Sequence, residues 1–394
     1  MYNMERQSVG VQTNWEEKND VPSLEELQHR LCKLITDCGT DNDVPNMRSP
    51  TDMESSLHYN DIKNMTPVTS KQTEFLPKDG VTNITAKNEE TYAVAMFCNR
   101  SGRGCNAIGE VYVVDIESDI PSVKMLCMGG IPKLLFGKNN SSLLFGGSLC
   151  GAIHVWDVKS QSEISVIPPS IHKGHIDPII SLESLTRDTL LSVDVAGKAI
   201  TWDLRNLAEP VSHVEWEIAS RACRVSSVCR GSTFYCSSLS GKIYKCNSDG
   251  ISQEGDIIHE SGIIASSVST VGPIELLATS SLDSSIKVWD PQDFTMAIYD
   301  LLPSINCTVD MAWHPTITNV LATADDHGNV SVWNFAKNRM MPVCSVNHDG
   351  TSSAIAWTPS GKHLIVGGYG VSIFEPEKEV CKIISNNTNE GIAQ

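Results

Sequence analysis

His172, His175 and Asp177 lie within six residues, and Ser192 and Asp194 follow before the pair Trp202-Asp203. Imidazole, carboxylate and hydroxyl are the groups of a proton relay, in which a carboxylate orients a histidine that takes a proton from a hydroxyl. The same groups, once buried, form a closed hydrogen-bond chain that does no chemistry and fixes a fold. Gly174-His175 ahead of Trp202-Asp203, with Ser192 and Asp194 between, favours the second reading: His175 is a structural pin and Asp177 a turn residue. The chain carries no phosphate-cradling Gly-rich motif followed by Lys, no nucleophile-elbow sequence and no Cys or His cluster at zinc spacing. The expectation is a protein that is not an enzyme and uses no cofactor or metal.

The elements that place these residues repeat. Seven short apolar strands start from a turn residue, and all but the last leave on Asp or Asn: Gly109–Asp115, Gly151–Asp157, Gly197–Asp203, Gly241–Asn247, Ser284–Asp290, Gly328–Asn334 and Gly370–Glu375, which ends on Glu. Measured at Val114, Trp156, Trp202, Cys246, Trp289, Trp333 and Phe374, the steps are 42, 46, 44, 43, 44 and 41 residues. A fixed period of about 44 residues with a Trp-Asp ending marks WD repeats, each one four-stranded propeller blade. Within a unit, Val309–Trp313, Asn319–Ala324 and Asn329–Trp333 read as strands separated by turns. The fold class predicted is all-β: a seven-bladed WD40 β-propeller over 81–384, with Trp156, His175, Asp194, Trp202, Trp289 and Trp333 as blade-structural residues. In WD repeats, a His, Asp, Ser and Trp set pins the blade. The other units lack a Gly-His dipeptide and read as degenerate. Glu379–Ile384 is long enough to be the last outer strand, so closure by an N-terminal strand stays open as an alternative.

With 394 residues and 41% apolar content, the chain can bury a large core. No apolar run reaches the roughly 20 residues that a bilayer crossing needs, and the first residues lack a signal-peptide core, so the chain reads as intracellular. Thirteen scattered cysteines fit free thiols packed as small hydrophobes, among them Cys98, Cys229, Cys236 and Cys246. A net charge of −17 argues against nucleic-acid binding and against an anionic membrane surface.

Residues 1–80 carry 14 acidic and 8 basic residues and few apolar clusters, so this arm is expected to be mostly disordered, as is the tail 385–394. One island differs. Ser23 and Glu26 make a capping box, and Leu24, Leu27, Leu31, Leu34, Ile35 and Cys38 recur at helical spacing before Gly39. This predicts one short amphipathic helix, about 23–38, which takes a partner or packs on its own propeller. Two segments flank it, Ser8–Thr13 and Thr69–Thr73, each with a Gln-Thr pair suited to strand addition on a partner's sheet edge.

In order and sequence, Leu276–Asp290, Val309–Pro315, Gly328–Asn334 and Ile355–Gly361, with Leu144–Ser148, Gly151–Asp157 and His175–Ile179 upstream, resemble the dynein intermediate chains. The resemblance implies a non-catalytic motor subunit whose propeller binds a dynein heavy chain while the arm collects dimeric light chains and a second intermediate chain. By position, Val11, Gln12 and Thr13 would anchor a hub-type light chain, and Lys71, Gln72 and Thr73 either a second copy or nothing, since Lys71 replaces the usual Thr or Val. The helix residues Leu24, Leu27, Leu31, Leu34 and Ile35 would meet a roadblock-type light chain or the partner intermediate chain. Two sites on one arm bind a dimeric hub with effective concentrations near millimolar. The arm opens without the long charged helix of the main cytoplasmic form. That favours the second cytoplasmic dynein, hence cytoplasm, cytoskeleton and cilium, and retrograde intraflagellar transport; an axonemal chain is the alternative within the family. Trp202-Asp203-Leu204-Arg205 supports a different reading, a substrate receptor of a cullin-type ubiquitin ligase, and a generic WD40 scaffold is a third.

Overall fold

A computed structural model describes residues 63–64, 66–67 and 80–376, apart from short internal stretches such as 99–107, 217–221 and 228–232. All of them belong to the second of two compact units, Tyr59–Gln394. The helix expected at 23–38 and both Gln-Thr segments lie outside the described residues, as does Glu379–Ile384.

The described elements are strands, arranged in seven antiparallel-built sheets. Blade 3 shows the plan: Ile179–Ser184, Thr189–Asp194, Lys198–Asp203 and Asn206–Glu215 lie side by side from the channel to the rim. Every rung of the sequence ladder is the third strand of its own sheet: Ile108–Asp115, Ile153–Asp157, Lys198–Asp203, Lys242–Asn247, Ile286–Trp289, Asn329–Asn334 and Val371–Glu375. Successive inner strands touch around the ring, and the last, Ala354–Trp357, touches the first, Val81–Ala86. The protein is a seven-bladed β-propeller.

The second strands explain why the sequence alternates so little there. Leu276–Ser281 and Val320–Asp325 are buried at every position because a neighbouring blade covers each face. The outer strand of blade 3 has one wet face and alternates instead. Apolar packing falls into seven clusters, one in each interface between adjacent blades. The penultimate residue of every rung joins the cluster with the preceding blade: Val114, Trp156, Trp202, Cys246, Trp289, Trp333 and Phe374. Period and packing are therefore one property. Cys246 fills this seat with a buried thiol, and burial pushes its pKa up to about 12, as it does with Cys127, which keeps both in the neutral, apolar form.

The Asp or Asn ending most rungs has a local cause. Its side-chain oxygen accepts from the backbone N–H two residues on: Asp157 from Lys159 at 2.9 Å, Asp203 from Arg205 at 2.9 Å, Asp290 from Gln292 at 2.9 Å and Asn334 from Ala336 at 3.1 Å. This Asx turn starts the hairpin to the outer strand. The glycine that opens a rung is left-handed at Gly151, Gly197, Gly241 and Gly328, with φ of 82°, 90°, 74° and 85°, and Ser284 adopts φ 65° in the same place. Gly109 and Gly370 are not left-handed. At Gly109 the cause is close approach, since a β-carbon there would collide with the Gly129 carbonyl.

The outer seat of blade 7 is taken from the N-terminal side. Thr66–Pro67 pairs antiparallel with Phe374–Glu375, and Lys63–Asn64 runs parallel to Cys344–Ser345 as a fifth strand on blade 6.

Candidate functional site

The chemistry-bearing cluster around His175 is a sealed chain. Trp202 donates its indole N–H to Ser192 Oγ at 2.8 Å, Ser192 Oγ lies 2.7 Å from His175 Nε2, and His175 Nδ1 lies 2.8 Å from Asp194 Oδ2. A carboxylate only accepts, so His175 carries its proton on Nδ1 and receives the Ser192 hydroxyl on Nε2. Asp194 Oδ1 then accepts the backbone N–H groups of Ala196 at 3.0 Å and Lys198 at 2.9 Å. His175 and Ser192 are completely buried and Asp194 is 1% exposed, so no substrate reaches the imidazole. His172 sits exposed in the neighbouring turn and Asp177 is half-buried; the nitrogens of His175 are already occupied. These residues join the start of blade 3 to its second and third strands and do not form a relay.

Blade 5 contains the same device without a Gly-His dipeptide. Trp289 donates to Thr279 Oγ1 at 2.9 Å, Thr279 Oγ1 lies 2.8 Å from His259 Nε2, and His259 Nδ1 faces Ser285 Oγ at 3.0 Å and Asp283 Oδ2 at 3.2 Å. Burial opposes ionisation of Asp283, but hydrogen bonds from His259 and Ser285 outweigh it and hold the carboxyl well below the usual range. In blade 6, Trp333 donates to Thr323 Oγ1 at 3.0 Å, and Asn306 stands where the histidine would, donating to Asp325 at 3.1 Å. In blade 7, His348 Nδ1 lies 2.9 Å from Ser372 Oγ. Reading only for Gly-His missed His259 and His348, because the residue before the histidine is not part of the chain. The detectable signal was a histidine at near-constant distance ahead of the rung, followed in blades 3 and 5 by Ser192 or Thr279.

Blade 2 departs from this plan. Gly146 occupies the place of Ser192, and a β-carbon there would lie 2.6 Å from the Trp156 ring. Trp156 fills the space itself, stacks on His154 at 5.4 Å between ring centroids, and buries its indole N–H without a hydrogen-bond partner.

Arg205 of the Trp202-Arg205 tetrapeptide folds back on its own turn. Its Nε and Nη2 donate to Asp203 at 2.9 and 2.7 Å, which holds the Asp203 carboxyl down at about 2. Among the described residues there is no group of three metal-ligating side chains, and no helix is long and apolar enough to cross a membrane.

Comparison with known proteins places relatives beside this geometry. The chain is 25% identical over 276 residues to the cytoplasmic dynein 1 intermediate chain of Drosophila melanogaster, covering 65% of this chain and 41% of that protein. It is 23% identical over 273 residues to dynein axonemal intermediate chain 2 of Mus musculus, covering 64% and 43%. No family model matches. These homologues are dynein intermediate chains, and the match spans less than half the length of either.

Proposed function

We propose that this chain is a non-catalytic intermediate chain of a dynein motor complex. The observation that carries the reading is the homology to two intermediate chains across about two thirds of the sequence, on a propeller in which His175 and His259 are sealed in blade-pinning chains. In this reading the propeller holds the tail of a dynein heavy chain. The arm recruits dimeric light chains: Val11, Gln12 and Thr13 take a hub-type chain, Lys71, Gln72 and Thr73 a second copy, and Leu24, Leu27, Leu31, Leu34 and Ile35 a roadblock-type chain or a second intermediate chain. We assign the motor to the second cytoplasmic dynein, and hence to retrograde intraflagellar transport in cilia.

Affinity purification of the tagged full chain from ciliated cells tests every part. Recovery of a dynein heavy chain with light chains supports the motor, and the identity of the heavy chain fixes its class. Recovery of a cullin and its adaptor without dynein overturns it in favour of the ubiquitin-ligase receptor. The engagement of Arg205 by Asp203 supports a turn-packing role for that tetrapeptide. For the arm, a peptide covering Ser8–Trp15 should bind a hub-type light chain in calorimetry and lose binding on Gln12→Ala; an inert peptide would remove the assigned role.

A further inference from the structure

In an up-and-down four-stranded blade, the turns between strands two and three emerge on the same face as the connections into the next blade. On this face the second residue of the strand-two-to-three turn is apolar in four consecutive blades: Leu149, Val195, Leu239 and Leu282. The backbone places them alike. The N–H of Leu149 bonds the Gly130 carbonyl, that of Val195 the Pro178 carbonyl and that of Leu282 the Gly262 carbonyl, each at 2.9–3.0 Å. Gly262, which Leu282 bonds, has the Leu239 backbone and side chain against its other side, so adjacent turns lie next to each other. Ile176 sits at the Gly151 turn and extends the row. Leu149, Ile176 and Leu239 are 41%, 58% and 40% exposed and Val195 and Leu282 half-buried, an apolar arc where isolated exposed residues would need no explanation.

Among the described residues, carboxylates predominate around the arc. Asp177, Glu260, Asp283 and Asp326 lie in the same turns and connections. Lys198 Nζ turns inward to the carbonyls of Ile171 and Gly174 and Lys287 Nζ to that of Ile258, while the exposed Lys173 is paired with Glu209. We propose that this arc seats a protein segment with an apolar anchor flanked by lysines or arginines. The acidic border excludes a second copy of the same face, since like charges would meet. The inference rests on the motor reading, and within it names the face of the propeller on which the heavy chain sits.

The test uses the full chain and the recombinant tail of the dynein heavy chain from the same organism, with affinity measured by interferometry. Leu149→Asp combined with Leu239→Asp should weaken binding about ten-fold or more, as loss of central apolar anchors does. Ile164→Asp, on the rim strand of blade 2, should leave it unchanged. Glu260→Lys with Asp326→Lys should slow association and flatten its salt dependence. Should the double aspartate variant unfold, crosslinking of the wild-type complex reads the same face directly. Wild-type binding with an unaffected double variant, or crosslinks confined to the opposite face, overturns the inference and leaves the motor reading standing. Absence of wild-type binding overturns both.

Discussion

Ser353 donates its hydroxyl to the Val81 carbonyl at 2.6 Å, joining positions 272 residues apart in sequence. Beside it the Val81 N–H reaches the Gly368 carbonyl at 2.7 Å. The same kind of tie recurs around the ring. Asn83 accepts from the Leu134 N–H and Asp310 from the Ile355 N–H, both at 3.0 Å, while Trp313 and Trp357 donate their indoles to the Ser267 and Ala312 carbonyls of the preceding blades. Inner strands are thus stitched by side chain to backbone as well as by apolar packing.

Ser353→Ala should therefore destabilise the protein by about 1–2 kcal/mol, the order expected when a buried carbonyl loses its donor. The effect should be local. Hydrogen exchange should accelerate in Val81–Ala86 and Ala354–Trp357 before it does in Ile179–Ser184, and uniform acceleration would show that the tie is not part of closure.

The tryptophans of blades 2 and 3 should respond differently to loss of the indole nitrogen. Trp202→Phe leaves Ser192 and the His175 chain without a donor and should destabilise by about 2–3 kcal/mol. Trp156 has no partner for its N–H, so Trp156→Phe should lose packing alone and fall short of that figure. Chemical denaturation of both variants checks the order, and equal losses would refute it.

How far the sequence could be read follows from what repeats. The rungs were legible because each places one residue in an interface and most add an Asx turn at a hairpin, and both constraints recur about every 44 residues. The pin of blade 3 was legible through Gly174-His175, whereas those at His259 and His348 were hidden by a dipeptide that the geometry does not need. Closure was not legible. Two backbone pairs at Thr66 and Pro67 complete blade 7, and main-chain pairing imposes little on residue type. The apolar arc escaped notice because Leu149, Leu239 and Leu282 become neighbours only when the ring closes.

The two kinds of glycine predict opposite outcomes. Gly328 has φ 85° and carries the His348 and Gly350 carbonyls where a β-carbon would go. Gly328→Ala should destabilise by about 2 kcal/mol or more, from backbone strain and displacement of the next blade. Gly370 opens the equivalent strand with open space around it and no left-handed backbone, so Gly370→Ala should stay within about 0.5 kcal/mol. Thermal melts of the pair decide the matter, and a costly Gly370→Ala would contradict the geometry.

Acid should loosen the ring at the junction of blades 6 and 7. His314 is 4% exposed, lies 4.9 Å from the Trp357 ring and accepts on Nδ1 from the Thr316 and Ile317 N–H groups at 3.3 and 3.1 Å. Burial pulls its pKa down from 6.5 to about 4, and protonation of Nδ1 would set a third N–H against two donors. Because the folded value is the lower one, the unfolded chain binds the proton first. The contribution is whole above pH 6.5 and is lost as pH falls from there towards 4, amounting to about 2 kcal/mol by pH 5. His314→Asn keeps a side-chain acceptor for the two N–H groups and cannot titrate in this range. Urea unfolding at pH 7 and pH 5 should therefore show a smaller acid loss in His314→Asn than in the wild type, and parallel losses would assign the acid sensitivity to other groups.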